Sequence, residues 1–168
     1  MEEKKQSSEL DDDYLEEEED TQKDKYLTFR ISNEDYAIEI RHVTEIIGIQ
    51  RITEVPDTPH YVRGIINLRG KVIPVIDVRT RFNLPDKEYG DRTCIIVVNL
   101  NDSATGLIVD EVSEVLSIPE KSIDPPPKTN KGAKSRYING IGKISDQVKI
   151  LLNIDHILND SEVEKPIG

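Results

Sequence analysis

Apolar residues recur at every second position in short runs: Leu27, Phe29 and Ile31, then Tyr36, Ile38 and Ile40. An alternation of this kind, rich in β-branched side chains further along, buries one face of a strand and wets the other. The turn cluster Ser32-Asn33-Glu34-Asp35 between the first two runs makes 26–40 a hairpin. Further strands are expected near 49–55, 64–68, 71–76, 93–100, 104–109, 112–118, 138–144 and 147–154. Turn signals separate them at Arg69-Gly70, Asn101-Asp102-Ser103 and Ser145-Asp146. Val43, Ile46 and Ile47 switch to helical spacing and predict one turn of helix. Other helix is confined to a turn at 59–62 and pieces at 77–82 and 155–159. Many short strands at this spacing make an all-β fold of small barrels or a sandwich.

The chain also resembles itself. Residues 26–49 lie over 95–118 at an offset of 69, with Val43, Glu45 and Ile49 falling on the identical Val112, Glu114 and Ile118. Residues 61–78 lie over 137–154 at an offset of 76, placing Tyr61, Gly64, Ile65 and Val72 on Tyr137, Gly140, Ile141 and Val148. The reading is two similar five-stranded units, one over 25–90 and one over 91–159, each too small to stand comfortably alone and therefore packed together. Ile40 and Val109 are the matched inward positions.

Charge divides the chain differently. Residues 1–24 hold 12 acids against three lysines, a net of -9 out of the total of -11. With Leu10, Tyr14 and Leu15 as its sizeable apolar residues, this leader cannot offset the entropy of being ordered and is expected to be disordered. It is no signal peptide, which would need a basic start and an apolar stretch. The tail 160–168 is expected to be flexible. The body is near neutral and lacks the basic field that nucleic-acid binding requires. The longest apolar run, 94–98, is far below the roughly 20 residues of a membrane helix. The single Cys94 can close no internal disulfide.

Chemistry is sparse. His42, His60 and His156 are scattered, with no second ligand at a metal-binding spacing. Cys94 opens a strand without a histidine nearby, as a buried thiol would. No serine sits in a G-x-S-x-G elbow, and no glycine-rich phosphate loop follows a strand. Pro125-Pro126-Pro127 reads as a stiffened loop, and Lys128, Lys131, Lys134 and Arg136 beside it as a solvated face. No catalytic, cofactor-binding or metal residue is assigned.

The most informative segment is Gly64-Ile65-Ile66-Asn67-Leu68-Arg69-Gly70-Lys71-Val72-Ile73-Pro74-Val75-Ile76-Asp77. Two apolar strands flank a turn whose Gly70 supplies the positive φ a two-residue loop wants. Arg69 is thrust to the tip, where its planar fork suits carboxylates or backbone carbonyls, or braces its own turn. Pro74 cannot donate to a ladder, so its strand should have an open edge or a break there.

This segment, preceded by Val55-Pro56 and Pro59, and joined by Val43-Thr44-Glu45-Ile46 and Gly106-Leu107-Ile108-Val109-Asp110-Glu111-Val112, closely resembles the CheW family of bacterial chemotaxis coupling proteins over 25–159. The resemblance implies two SH3-like five-stranded β-barrels side by side, with a short C-terminal helix. It implies a non-enzymatic adaptor joining chemoreceptors to the histidine kinase CheA. The receptor-facing positions would be Val43, Glu45, Ile46, Arg69 and Gly106, against the receptors' cytoplasmic tip. Those facing the regulatory domain of CheA would be Val55, Ile66 and Asn67. The same resemblance implies a cytoplasmic protein, monomeric when free and recruited to membrane-associated receptor arrays without inserting into the membrane. The alternative reading is an unrelated small β-barrel ligand-binder or enzyme using the cleft between its halves.

Overall fold

The computed structural model describes residues 22–127 and 136–159. The leader through residue 21, the tail 160–168 and the lysines of the basic stretch lie outside the described residues. β1 (Lys25–Ile31) and β2 (Glu34–Glu39) form the expected hairpin, followed by a 3-10 turn (Ile40–His42) and β3 (Val43–Gly48). β4 (Val62–Leu68) and β5 (Lys71–Asp77) make the second hairpin and lead into α1 (Val78–Arg81). β6 (Cys94–Leu100), β7 (Ser103–Val109), β8 (Glu111–Ser117) and β9 (Ile123–Asp124) come next. The final elements are β10 (Ile138–Ile144), β11 (Gln147–Leu152) and α2 (Ile154–Asn159).

Two sheets result, ordered β8-β1-β2-β11-β10-β9 and β3-β6-β7-β5-β4. Shifting the second by the offsets of 69 and 76 turns it into β8-β1-β2-β11-β10, which is the first sheet without β9. The internal duplication is therefore a property of the fold, with an exchange: each sheet takes its leading hairpin from the other half of the chain. Registers agree residue for residue. The parallel pair Val75↔Gly106 is the counterpart of Leu151↔Ala37. The bulge between Val62 and Gly64 recurs between Ile138 and Gly140.

Three expectations need correction. The helical turn at Val43, Ile46 and Ile47 is strand β3, because a bulge between Val43 and Glu45 inserts one residue and breaks the period of two. The strand near 49–55 reduces to a single bridge between Thr53 and Ile65. The two five-stranded barrels are two open sheets, one of them six-stranded, because that lone bridge is the only ladder contact between the segment leaving β3 and the far edge strand β4. Pro74 behaves as expected: β5 pairs with β7 only from Val75 to Asp77.

The main core draws on both sheets, with Leu27, Phe29, Tyr36 and Ile38 meeting Ile76, Ile96, Leu107 and Val109. Smaller clusters fill the second sheet (Ile66, Ile73, Val75, Ile95, Val97, Ile108) and the first (Ala37, Ile118, Leu151). Val109 is fully buried, whereas its counterpart Ile40 sits half-buried in the 3-10 turn. At the junction the Arg81 guanidinium lies 3.8 Å from the ring centroid of Tyr61 and 5.1 Å from that of Tyr137, two repeat counterparts. Its Nε donates to the carbonyl of Ile157, its own counterpart position, at 2.9 Å.

A second clamp joins the sheets at the surface. Arg79 forks onto Asp110 at 3.0 and 2.9 Å, and also donates to Ser32 Oγ and the Pro85 carbonyl. The Ser32 amide donates to Asp110 Oδ2 at 2.8 Å. Burial alone would raise the Asp110 carboxyl, but the hydrogen bonds from Arg79 and Ser32, with the Arg79 charge, outweigh it and hold the group below the ordinary carboxylate range. A carboxyl depressed in the folded state stabilises the fold above its unfolded pKa of about 4, and that contribution is lost as pH falls through the folded value. The stability difference between the parent chain and Asp110→Asn should therefore be constant from neutral pH to about 4 and shrink below it. Urea titrations across that range check this; a difference that grows on acidification would contradict it.

Candidate partner-binding surface

Hairpin β4–β5 closes on Leu68↔Lys71, leaving Arg69 and Gly70 as its two-residue loop. Both have positive φ, 51° and 87°, as a type I′ turn requires. Asn67 Oδ1 accepts from the Gly70 amide at 2.8 Å and fixes the loop. The tip reaches across to β3, where the Arg69 guanidinium pairs with the Glu45 carboxylate. Since β3 and β4 are the opposite edges of their sheet, this pair ties the curled sheet together where the backbone ladder does not. Arg69 thus braces another strand and not its own turn, while its side chain stays 68% exposed.

Next to this pair Ile46 is 43% exposed, an apolar cost on a free surface. Val43 lies half-buried against the shared core. Gly106 is buried in β7, beside Val97, which in turn pairs with Glu45 on β3. A Cβ there would meet Ile95 Cγ2 at 2.7 Å, so the absence of a side chain serves the packing beneath β3. The structure brings Glu45 and Arg69 together at the surface; Ile46, the next residue of β3, is exposed on the strand's other face, Val43 packs against the shared core and Gly106 is buried two strands away.

On the β4 side a groove of about 400 Å³ runs between the 50–53 segment and the hairpin. Gln50, Arg51, Thr53, Ile65, Ile66, Asn67 and Val72 line it. Ile66 offers only its edge, being buried in the small core, whereas Asn67 is exposed. Val55 is half-buried further along the connection, where its carbonyl accepts from Thr58 Oγ1 at 3.1 Å, and it does not line the groove. Sequence reasoning missed Val72, 60% exposed and cross-strand from Asn67. Its place in the alternation with the inward Ile73 was the available signal.

A neighbouring cleft of about 450 Å³ is lined by Ile52, Glu54, Arg63, Asp86, Lys87, Glu88 and Tyr89. Beneath it the Tyr89 hydroxyl donates to Asp77 Oδ2 at 2.8 Å, and Arg63 bridges Asp77 and Asp86. Burial, with the Asp77 charge behind it, pushes the Tyr89 hydroxyl well above its usual range. Asp77 also caps α1 by accepting from the Arg79 amide at 2.9 Å. Tyr89, Asp77, Arg63 and Asp86 are thus engaged with one another and hold the connection 83–92 in place.

Residues 25–162 match the CheW-like domain family. The chain belongs to the CheW family. It is 39% identical over 131 residues to chemotaxis protein CheW of Bacillus subtilis, covering 78% of this chain and 82% of that one. It is 34% identical over 139 residues to chemotaxis protein CheW of Klebsiella aerogenes, covering 83% and 84%. The crystal structure of the scaffolding protein TtCheW from Thermoanaerobacter tengcongensis superposes with a TM-score of 0.74 at 37% identity, covering 80% of this chain and 91% of that one. As a member of the CheW family the chain is a non-enzymatic chemotaxis adaptor, and the reading as an unrelated enzyme or ligand-binder is not favoured. Among the described residues no helix of this CheW-like chain is long and apolar enough to cross a membrane.

Proposed function

We propose that the chain couples chemoreceptors to the histidine kinase CheA by offering each partner a different edge of the five-stranded sheet. The β3 edge, with Glu45, Ile46 and the Arg69 tip, together with Val43 and Gly106, takes the cytoplasmic tip of the receptors. The β4 edge takes the regulatory domain of CheA on Ile66, Asn67 and Val72, with Val55 beside the groove. The observation that carries this reading is the Arg69–Glu45 pair, which sets an exposed cation on a half-exposed carboxylate at a β edge, with the exposed Ile46 next along the same strand. The protein would act in the cytoplasm, monomeric when free, and join receptor arrays at the membrane through these contacts. The acidic leader before Lys25 would be dispensable for folding.

Exposed ion pairs contribute about 0–1 kcal/mol, so Arg69→Ala should shift stability by no more than that. Binding should suffer more, because Glu45 would enter the interface without its partner and the tip would lose its fork. Titration calorimetry with a soluble receptor cytoplasmic fragment should show at least a tenfold weaker Kd, with Arg69→Lys recovering part of it. Unchanged receptor affinity in a folded Arg69→Ala protein would remove the β3 edge from the account.

A further inference from the structure

The β10–β11 hairpin is the repeat counterpart of β4–β5 and shows what a hairpin at this place in the fold needs. At the offset of 76, Ile144 and Gln147 stand for Leu68 and Lys71 and close a two-residue loop in the same register. Ser145 stands for Arg69 and is left-handed as well, with φ of 55° against 51°. The backbone therefore asks for this conformation in both repeats, and a small polar residue meets it. Arginine is not among the residues that such a loop favours, which are Asn, Asp and Gly.

The two tips differ in what surrounds that residue. Gly70 takes φ of 87° although a Cβ there would find nothing within 4 Å, so conformation and not space calls for glycine. Its amide lies between the paired residues Leu68 and Lys71, outside the ladder, and donates to Asn67 Oδ1 at 2.8 Å. In β10–β11 the counterparts of Gly70 and Asn67 are Asp146 and Lys143, and Lys143 pairs with Asp124 of β9 at 3.2 Å. Glu114 stands for Glu45 at the offset of 69, but the uncharged Ser145 tip offers it no cation. A hairpin of this register thus closes without an asparagine acceptor and without glycine. What distinguishes β4–β5 is the long cation at its tip, carried on a left-handed residue and set against a strand on the far edge of the sheet. Two-residue loops adopt more than one turn type, and each type sends its first side chain in a different direction.

We propose that Asn67 is a positioning residue for the receptor contact: through the Gly70 amide it holds the loop in the turn that aims Arg69 at Glu45 before the partner arrives. This rests on the reading of the β3 edge as receptor-facing, and it gives that edge a residue otherwise counted with the groove on β4. Without the acceptor the Arg69 side chain has to be ordered on binding, so Asn67→Ala should weaken the Kd for a receptor cytoplasmic fragment by about fivefold in titration calorimetry. Asn67→Asp, which keeps an oxygen acceptor on the same carbon, should bind within about twofold of the parent. In an Arg69→Ala background Asn67→Ala should change that Kd by less than about twofold, because no guanidinium is left to aim. Hydrogen exchange at the Gly70 amide should be about tenfold faster in Asn67→Ala and near parental in Asn67→Asp. Parental receptor affinity or unchanged Gly70 exchange in Asn67→Ala would overturn the proposal, as would an equal loss of affinity in Asn67→Asp or a loss that persists without Arg69. Unchanged affinity in Arg69→Ala itself would remove the β3-edge reading and the positioning role with it, whereas a weakened Arg69→Ala beside a parental Asn67→Ala would remove the positioning role alone.

Discussion

Phe82→Ala is expected to cost about 3–5 kcal/mol, enough to unfold much of a marginally stable domain. Phe82 ends α1 at 4% exposure and connects a series of rings across the seam. Its centroid lies 5.5 Å from both Tyr36 of the N-terminal hairpin and Tyr137 before β10, and Tyr36 stacks on Phe29 at 6.0 Å. Truncation removes the ring on which Tyr36 and Tyr137 both lean and leaves a cavity where hairpin, helix and second half meet. The urea midpoint should fall by about 1–3 M for a slope typical of small domains. A shift of a few tenths of a molar would mean that the halves are held together by something other than this seam.

Gly64→Ala should be comparably damaging for a different reason. Gly64 has φ of 150° at the β4 bulge, and a Cβ there would stand 2.1 Å from the Thr53 carbonyl oxygen. That oxygen accepts from the Ile65 amide at 2.9 Å, one half of the bridge that holds the 50–53 segment on the sheet edge. Overpacking against backbone costs about 1–3 kcal/mol and the disfavoured φ a similar amount, so a loss of about 2–5 kcal/mol is expected. Because Thr53 and Ile65 both line the groove, affinity for the regulatory domain of CheA should fall with stability, whereas receptor affinity in the folded fraction should not. Retention of groove binding at parental strength would place the kinase contact elsewhere.

Much of this was legible in the chain because the period of two is enforced locally. The hairpin at Ser32, the tight loop at Arg69-Gly70 and the break at Pro74 follow from residue chemistry that no distant contact overrides. The repeat was legible too, in the paired offsets. What the alternation hid was β3, since its bulge spaces Val43, Ile46 and Ile47 as a helix would. The exchange of hairpins was hidden more deeply, because the shared period of two in counterpart strands does not say which sheet a hairpin joins. For the surface, the motif pointed to Arg69, but its partner Glu45 is 24 residues away and meets it only because the sheet curls. Gly106, receptor-facing by the resemblance, lies buried in β7, where a Cβ would meet Ile95 Cγ2 at 2.7 Å. Val72 lay within the motif and was read only as a strand residue, although its neighbours' burial turns it outward.

The central claim is that two edges of one sheet serve two partners at once. It is tested most directly by titrating the parent chain, Arg69→Ala and Val72→Glu against a receptor cytoplasmic fragment and, separately, against the regulatory domain of CheA. The account predicts that the parent binds both with Kd of tens of micromolar or tighter, the weak range usual for transient signalling contacts. Arg69→Ala should lose at least tenfold for the receptor fragment alone, and Val72→Glu at least tenfold for the kinase domain alone. Loss of both partners in either folded variant, or no binding of the parent to either partner in that range, would contradict it.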